Sequence, residues 1–301
     1  MRSSLGMLGS LVLVGAAIAA EPTPPSGSWS AVDQVFGQPG KDLPGEVHRF
    51  GWPRTDLHVR LSGVAVEPAL ALGSWAAFKK TGAGQEAVTM GDLVLLGPEV
   101  NPVARALQAE NFEILAIHNH LIDETPRVVY LHFSGIGDPA KLAKALRTAL
   151  EKTATPLAPP AGKAPAAPTA AQEKILAKFQ EALGRKGTMA GAVLQIGVPR
   201  AAAIREGDME IPSSMGMANA INVEVAGERV ATTGDFVLIA DEVNPVLHEL
   251  QAHGIEVTAL HSHMLRENPR LFFMHFWGVG APDAIAGGLK AALSRIATRP
   301  S

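Results

Sequence analysis

The chain has no cysteine among its 301 residues, and that absence settles several points at once. It excludes disulfides, thiolate metal ligands and a lipid carried on a thiol. Any metal site must be built from imidazole, carboxylate, thioether or backbone oxygen. Runs of one charge are missing too. The 26 Lys and Arg are spread among 29 Asp and Glu, for a formal charge of −3, so there is no electrostatic footprint for nucleic acid or an anionic membrane surface. Nor is there a G-x-S-x-G elbow, a phosphate loop or an H-E-x-x-H pair, and Gly135-Ile136-Gly137 runs into Asp138-Pro139 without the rest of a dinucleotide fingerprint.

Only one apolar stretch is long, residues 5–20 (LGMLGSLVLVGAAIAA), and it is too short for a confident membrane span. It follows Met1-Arg2 and ends in the small-x-small triplet Ala17-Ile18-Ala19. Residues 1–20 therefore read as a signal peptide cleaved near Ala19 or Ala20, with an uncleaved anchor as the alternative. Cleavage leaves no membrane span and places the folded part in the periplasm or outside the cell. The rest, in a chain 47% hydrophobic and 18% charged, has the composition of folded globular protein.

What is present is a repeat. Setting 91–150 against 234–293 at a constant offset of 143 gives 28 identities in 60 positions, including Gly91-Asp92 with Gly234-Asp235 and a shared "EVNPV". Upstream, "FGWPR" at 50–54 answers "IGVPR" at 196–200, and "LGSWAAF" at 72–78 answers "MGMANAI" at 215–221. Self-similarity of this strength means one fold used twice. The expected organisation is unit one over 28–152, a Pro/Ala linker over 153–170 and unit two over 171–297.

Within unit one, residues 57–66, 74–79 and 87–96 carry strand-like runs broken by Gly and Pro. Residues 98–111 place Val100, Val103, Ala104 and Leu107 at helical spacing behind an acidic first turn. Strands at 113–120 and 127–134 and a helix from Pro139 to about Lys152 follow, and 171–184 reads as a helix opening unit two. The predicted fold class is α+β: two tandem homologous units, each a mostly antiparallel sheet with helices packed on it.

Six of the ten histidines fall in two matching segments, "AIHNHLIDETPRVVYLHF" and "ALHSHMLRENPRLFFMHF". In an H-x-H strand both imidazoles share one face, about 7 Å apart. A hairpin centred near Thr125 sets His118 opposite His132 and His120 opposite Tyr130, so three imidazoles converge. The same construction joins His261, His263 and His275. Three neutral imidazoles with a fourth position open suit zinc, and copper comes second. Two sites per chain are therefore possible. The competing reading is a structural hydrogen-bonded cluster, because duplication copies structural residues as faithfully as ligands.

Other shared residues are candidates of a weaker kind. Glu99 and Glu242 open the "EVNP" helix, either favouring its dipole or serving as fourth ligand or general base. Asn101 and Asn244 suit capping or ligand binding. Arg127 and Arg270 either clamp a substrate anion or pair with Glu124 and Glu267. Met215, Met217 and Met264 offer thioethers for copper if they approach the imidazoles, and core packing otherwise. His248 and His253, without counterparts in unit one, read as surface residues.

The compound motifs "GDLVLLGPEVNPV", "AIHNHLIDETPRVVYLHF" and "ALHSHMLRENPRLFFMHFWG" make the chain resemble the LppY/LpqO family of secreted or lipid-anchored bacterial proteins, built from a tandem domain of unknown function. The resemblance covers about residues 45 to 295 and implies export and duplication, but no catalytic role. Two functions are in view. One is an exported protein with His-lined divalent-metal sites, with hydrolysis as the chemistry if it is an enzyme. The other is a non-enzymatic envelope module that binds a small polar ligand or a cell-envelope protein between the units.

Overall fold

The computed structural model describes residues 29–82, 85–158 and 167–300. The signal-peptide reading of 1–20 and the middle of the linker, 159–166, lie outside the described residues. Unit one contains α1 (Ser30–Phe36), β1 (Lys41–Leu43), β2 (Val47–Pro53), β3 (Arg60–Leu61), β4 (Val64–Ala65), α2 (Pro68–Ala71), β5 (Gly73–Thr81), β6 (Glu86–Leu96), α3 (Gly97–Ala109), β7 (Glu113–His118), β8 (Val128–Gly137) and α4 (Pro139–Leu150). Unit two contains α5 (Ala170–Leu183), β9 (Thr188–Ala190), β10 (Val193–Pro199), β11 (Ile204–Glu206), β12 (Met209–Ile211), a 3-10 turn at Ser213–Met215, β13 (Ala218–Ala226), β14 (Arg229–Leu238), α6 (Ala240–Ala252), β15 (Glu256–His261), β16 (Glu267–Asn268), β17 (Phe272–Gly280) and α7 (Pro282–Leu293).

The fold is α+β and built twice. The first sheet runs β1-β2-β5-β6-β8-β7 and the second β9-β10-β13-β14-β17-β15, with antiparallel pairing throughout. The two orders match strand for strand. Two details depart from the sequence reading. Residues 57–66 form no single strand: the chain doubles back at Ser62 (φ 50°) and Gly63 (φ 79°), leaving the two-residue strands β3 and β4. Trp75 faces Asp92 while Ala220 faces Asp235, so β5 and β13 correspond at 220 − 75 = 145, not at 143.

Alternation along the strands explains why the units dock. On β6, Leu93 and Leu95 join the apolar cluster under the unit-one helices, whereas Val88, Met90 and Val94 face the other way. On β14, Phe236 and Leu238 face their helices while Ala231 and Val237 face outward. Both faces of both sheets are thus apolar, and a sheet wet on neither side must be covered on both. The outward faces cover each other, giving four layers: helices, sheet, sheet, helices. Two mixed clusters fill the middle, one including Met90, Met215, Met217, Met264 and Phe273, the other Val94, Leu121, Tyr130, Val193 and Trp277. Each draws on both units.

Polar contacts fix the docking. The last carbonyls of α2, which have no partner inside so short a helix, accept from unit two: Ala69 O from Gln195 Nε2 at 2.7 Å and Leu70 O from Asn222 Nδ2 at 2.8 Å. Glu224 lies on the same face of β13. Burial, with the Glu67 charge adding to it, pushes its carboxyl up to about 7. A folded-state value above the unfolded one, near 4.5, means that folding costs nothing at this group below pH 4.5 and progressively more up to pH 7. Glu224→Gln is therefore expected to raise stability by about 2 kcal/mol at pH 8 and to change nothing at pH 4, as read from paired melting curves.

The shared Gly91 and Gly234 have a packing reason. A Cβ at Gly91 would fall on the Trp75 carbonyl oxygen and the Phe133 ring, and one at Gly234 on the Ala220 carbonyl. Backbone cannot swing aside as a side-chain tip can. Gly91→Ala or Gly234→Ala should cost about 3 kcal/mol in denaturant titrations, at the upper end for overpacking.

Candidate metal centre

Between the two mixed clusters the apolar face is interrupted. Asp92 follows Met90 on β6 and His132 follows Tyr130 on β8, and the two are register partners across β6 and β8. Asp235 and His275 are partners in the same way across β14 and β17. The hairpin register differs from expectation by two residues: His118 pairs with Tyr130, and Ala116 with His132, after a bulge between Ile114 and Ala116. A two-residue shift preserves the face, because side chains alternate with period two. His118, His120 and His132 therefore still point together.

They do not form a site of their own. Because the sheets stack, all six histidines meet at one place on the approximate two-fold relation between units. The closest pairs cross from unit to unit: His118 with His261 at 3.7 Å between ring centroids, His120 with His275 at 3.7 Å, and His132 with His263 at 3.8 Å. Within unit one the separations are larger, 5.0 Å for His118–His120 and 4.9 Å for His118–His132. One shared centre thus replaces the two separate trios expected from the sequence.

Donor atoms come close enough for one ion to touch several. His118, His261, His263 and His275 offer ring nitrogens within 4.8 Å of one another, as do His118, His120, His132 and His263. Nitrogens bound to one zinc at about 2.0–2.1 Å stand roughly 3.3 Å apart in a tetrahedron, so small ring rotations suffice. Two carboxylates stand behind the rings. Asp92 lies 3.8 Å from His120 Nε2 and 3.7 Å from His132 Nε2; Asp235 lies 3.7 Å from His263 Nδ1 and 3.9 Å from His275 Nδ1. Aromatic faces hold two of the rings, Tyr130 on His120 at 3.4 Å and Phe273 on His263 at 3.8 Å. His132, His263 and His275 are buried, whereas His118, His120 and His261 are partly exposed.

The electrostatics are those of ligands without charge. Burial, with neighbouring imidazoles reinforcing it, holds His120, His132, His263 and His275 well below the usual histidine range. Burial lowers His118 to about 4 and His261 to about 3. Asp92 is lifted well above the carboxylate range by burial, with the Arg49 charge opposing, and Asp235 by burial and the Asp92 charge. Neutral imidazole is the form that binds metal. Nine buried donor or acceptor atoms of these eight residues have no hydrogen-bond partner: one oxygen of each Asp, Nε2 of every His, and His261 Nδ1 as well. Native interiors leave few such atoms, so a group of them in one place fits a bound cation.

The other candidates are placed elsewhere. Glu99 accepts from the Leu96 amide at 2.7 Å and the Ala154 amide at 2.9 Å, and pairs with buried Arg54 at 2.8 Å. Glu242 does the same with the amides of Ile239 and Ala297 and with buried Arg200. Both oxygens of each are committed to capping and ion pairing, and the carboxylates that face the imidazoles are Asp92 and Asp235. Asn101 and Asn244 lie exposed inside α3 and α6, past the capping positions. Arg127 is exposed, and Glu124 accepts from the Val128 amide. Arg270 pairs with Glu267 at 3.3 Å. Met215, Met217 and Met264 are buried in apolar packing, and His248 and His253 are exposed. The sequence reading missed Asp92 and Asp235 as site residues, although the repeated Gly-Asp marked them; it also missed Arg49, which stacks 4.1 Å over Trp75 and has Gln195 as its counterpart.

A family described as a Domain of Unknown Function (DUF1259) matches twice, over residues 30–152 and 177–295, so the chain belongs to that family as a tandem of its domain. No curated protein matches the chain. Among solved structures, the trimeric bacterial microcompartment shell protein PduB is similar at 15% identity and TM-score 0.19, covering 83% of this chain and 87% of that one. EtuB from Clostridium kluyveri is similar at 10% identity and TM-score 0.20, covering 85% and 88%. Overlaps this poor carry no argument about this chain.

Proposed function

We propose that the protein binds a divalent metal, zinc first and copper second, at the six-histidine centre, with both units contributing ligands. The observation that carries this reading is the set of nine partnerless buried polar atoms on six imidazoles and two carboxylates. A zinc ion held by imidazoles supplies a water of lowered pKa. The charge of a cation held there would oppose the burial that lifts Asp92 and Asp235, and as carboxylates close behind the rings they would be placed to orient the histidines or to take a proton, which makes hydrolysis the chemistry if the protein is an enzyme. Among the described residues no helix is long and apolar enough to cross a membrane. We infer from the motifs and the leader-like N-terminus that the chain belongs with the exported LppY/LpqO proteins and works in the periplasm or outside the cell.

The test is elemental analysis of untagged protein. The intact chain should carry stoichiometric metal. Because His118 and His263 belong to both four-nitrogen sets, His118→Ala in unit one or His263→Ala in unit two should each weaken binding by about 100-fold rather than halve the content. Metal-free wild-type protein that takes up no zinc or copper on dialysis ends the proposal, and half-loading in both variants restores two independent sites.

A further inference from the structure

The two units carry the same buried arginine in unequal surroundings. Arg54 donates from Nη1 to Val94 O at 2.7 Å and to Glu99, and Arg200 donates likewise to Val237 O at 2.7 Å and to Glu242. On its remaining edge Arg54 holds a carboxylate: Nε and Nη2 each lie 2.9 Å from an oxygen of Asp56. The residue two positions after Arg200 is Ala202, which brings no carboxylate. Arg200 is 4% exposed, and its Nε–H is buried with no partner. A cavity of about 280 Å³ opens there, lined by Arg200, Ala202 and Ala203 and continuing to Ile204, Ile211 and Met217. Lys79, Arg299 and Glu210 also line it.

We propose that this cleft binds a small aliphatic monocarboxylate, whose carboxylate takes on Arg200 the place that the Asp56 side chain takes on Arg54. Unit one supplies the template, since a guanidinium edge presenting Nε and Nη2 matches the two oxygens of one carboxylate. The partnerless Nε–H supplies the driving force, because a buried donor left unmade is costly and one made to an anion is strong. The bend at 201–203 is exposed, and an oxygen reaches the buried Nε–H when that bend moves aside. Ile204, Ile211 and Met217 supply an apolar wall for a short hydrocarbon body, and the volume lies at the small end of ligand pockets. The site is separate from the histidine centre and does not depend on metal.

The experiment is a thermal-shift series with acetate, propionate and butyrate at constant ionic strength, chloride serving as the control, on wild type and on Ala202→Asp. Wild type should rise in Tm by about 3–6 °C at saturating carboxylate and not with chloride, as mass action on the folded state requires. Ala202→Asp, which supplies the carboxylate from within, should melt higher than wild type without additive and no longer respond. Ala202→Asn controls for bulk: it should show no such intrinsic gain. No carboxylate-specific shift in wild type, or an equal shift in Ala202→Asp, overturns the proposal.

Discussion

Removing the metal with a chelator is expected to lower Tm by about 10 °C, and returning zinc to restore it. The estimate follows from mass action: an ion present at 1,000 times its dissociation constant adds about 4 kcal/mol to the folded state, and a chain of this size shifts by roughly 2–4 °C per kcal/mol. The effect should be global rather than local, because the histidines come from both sheets and an ion held by them would tie the layers together. His263→Phe sharpens the test. Its neighbour Phe273 already stacks on that ring at 3.8 Å, so an aromatic replacement fits the slot. It removes a buried partnerless nitrogen, and exchanging an unsatisfied polar group for an apolar one of similar shape is neutral or stabilising. The variant should therefore melt at or above chelated wild type while losing its response to zinc. Calorimetry with and without chelator reads both. A wild type indifferent to chelator and to zinc would leave the imidazoles as a structural cluster.

Much of this was legible in the repeat. Duplication, the α+β class and the convergence of each H-x-H with a later strand histidine follow from periodicity, because alternation fixes the face whatever the register. The register itself was hidden. A bulge after Ile114 and the loop from 119 to 127 move the pairing by two residues, and neither leaves a mark in the spacing of apolar positions. The merging of two trios into one centre was hidden for a different reason. It depends on the outward faces of the two sheets covering each other, and nothing local to one strand states which partner a second apolar face will have. Its trace was present in β6, where Val88, Met90 and Val94 are apolar on the face that Asp92 interrupts. A charged residue set into such a stripe marks a site more sharply than Glu99 and Glu242, which head helices and are explained by capping.

The repeated positions of those two glutamates conceal unequal partners. Burial raises the Glu242 carboxyl, but bonds from Arg200 and the amides of Ile239 and Ala297 outweigh it and hold the group below its ordinary value. Glu242→Gln leaves the Arg200 charge buried with no acid beside it, a change that typically costs about 3–5 kcal/mol. Glu99→Gln should cost less, about 1–2 kcal/mol, because Arg54 keeps Asp56 at 2.9 Å. The pH dependence has a definite sign. A depressed carboxyl contributes above its unfolded value near 4.5 and loses that contribution as pH falls through the folded value, so wild type should exceed Glu242→Gln fully at pH 7 and converge with it in acid. Urea titrations at both pH values measure the difference. Zinc content should stay at the wild-type level in both variants, because neither carboxylate is among the groups that face the imidazoles. Loss of metal in Glu242→Gln with stability unchanged would reverse the assignment and return that glutamate to the centre.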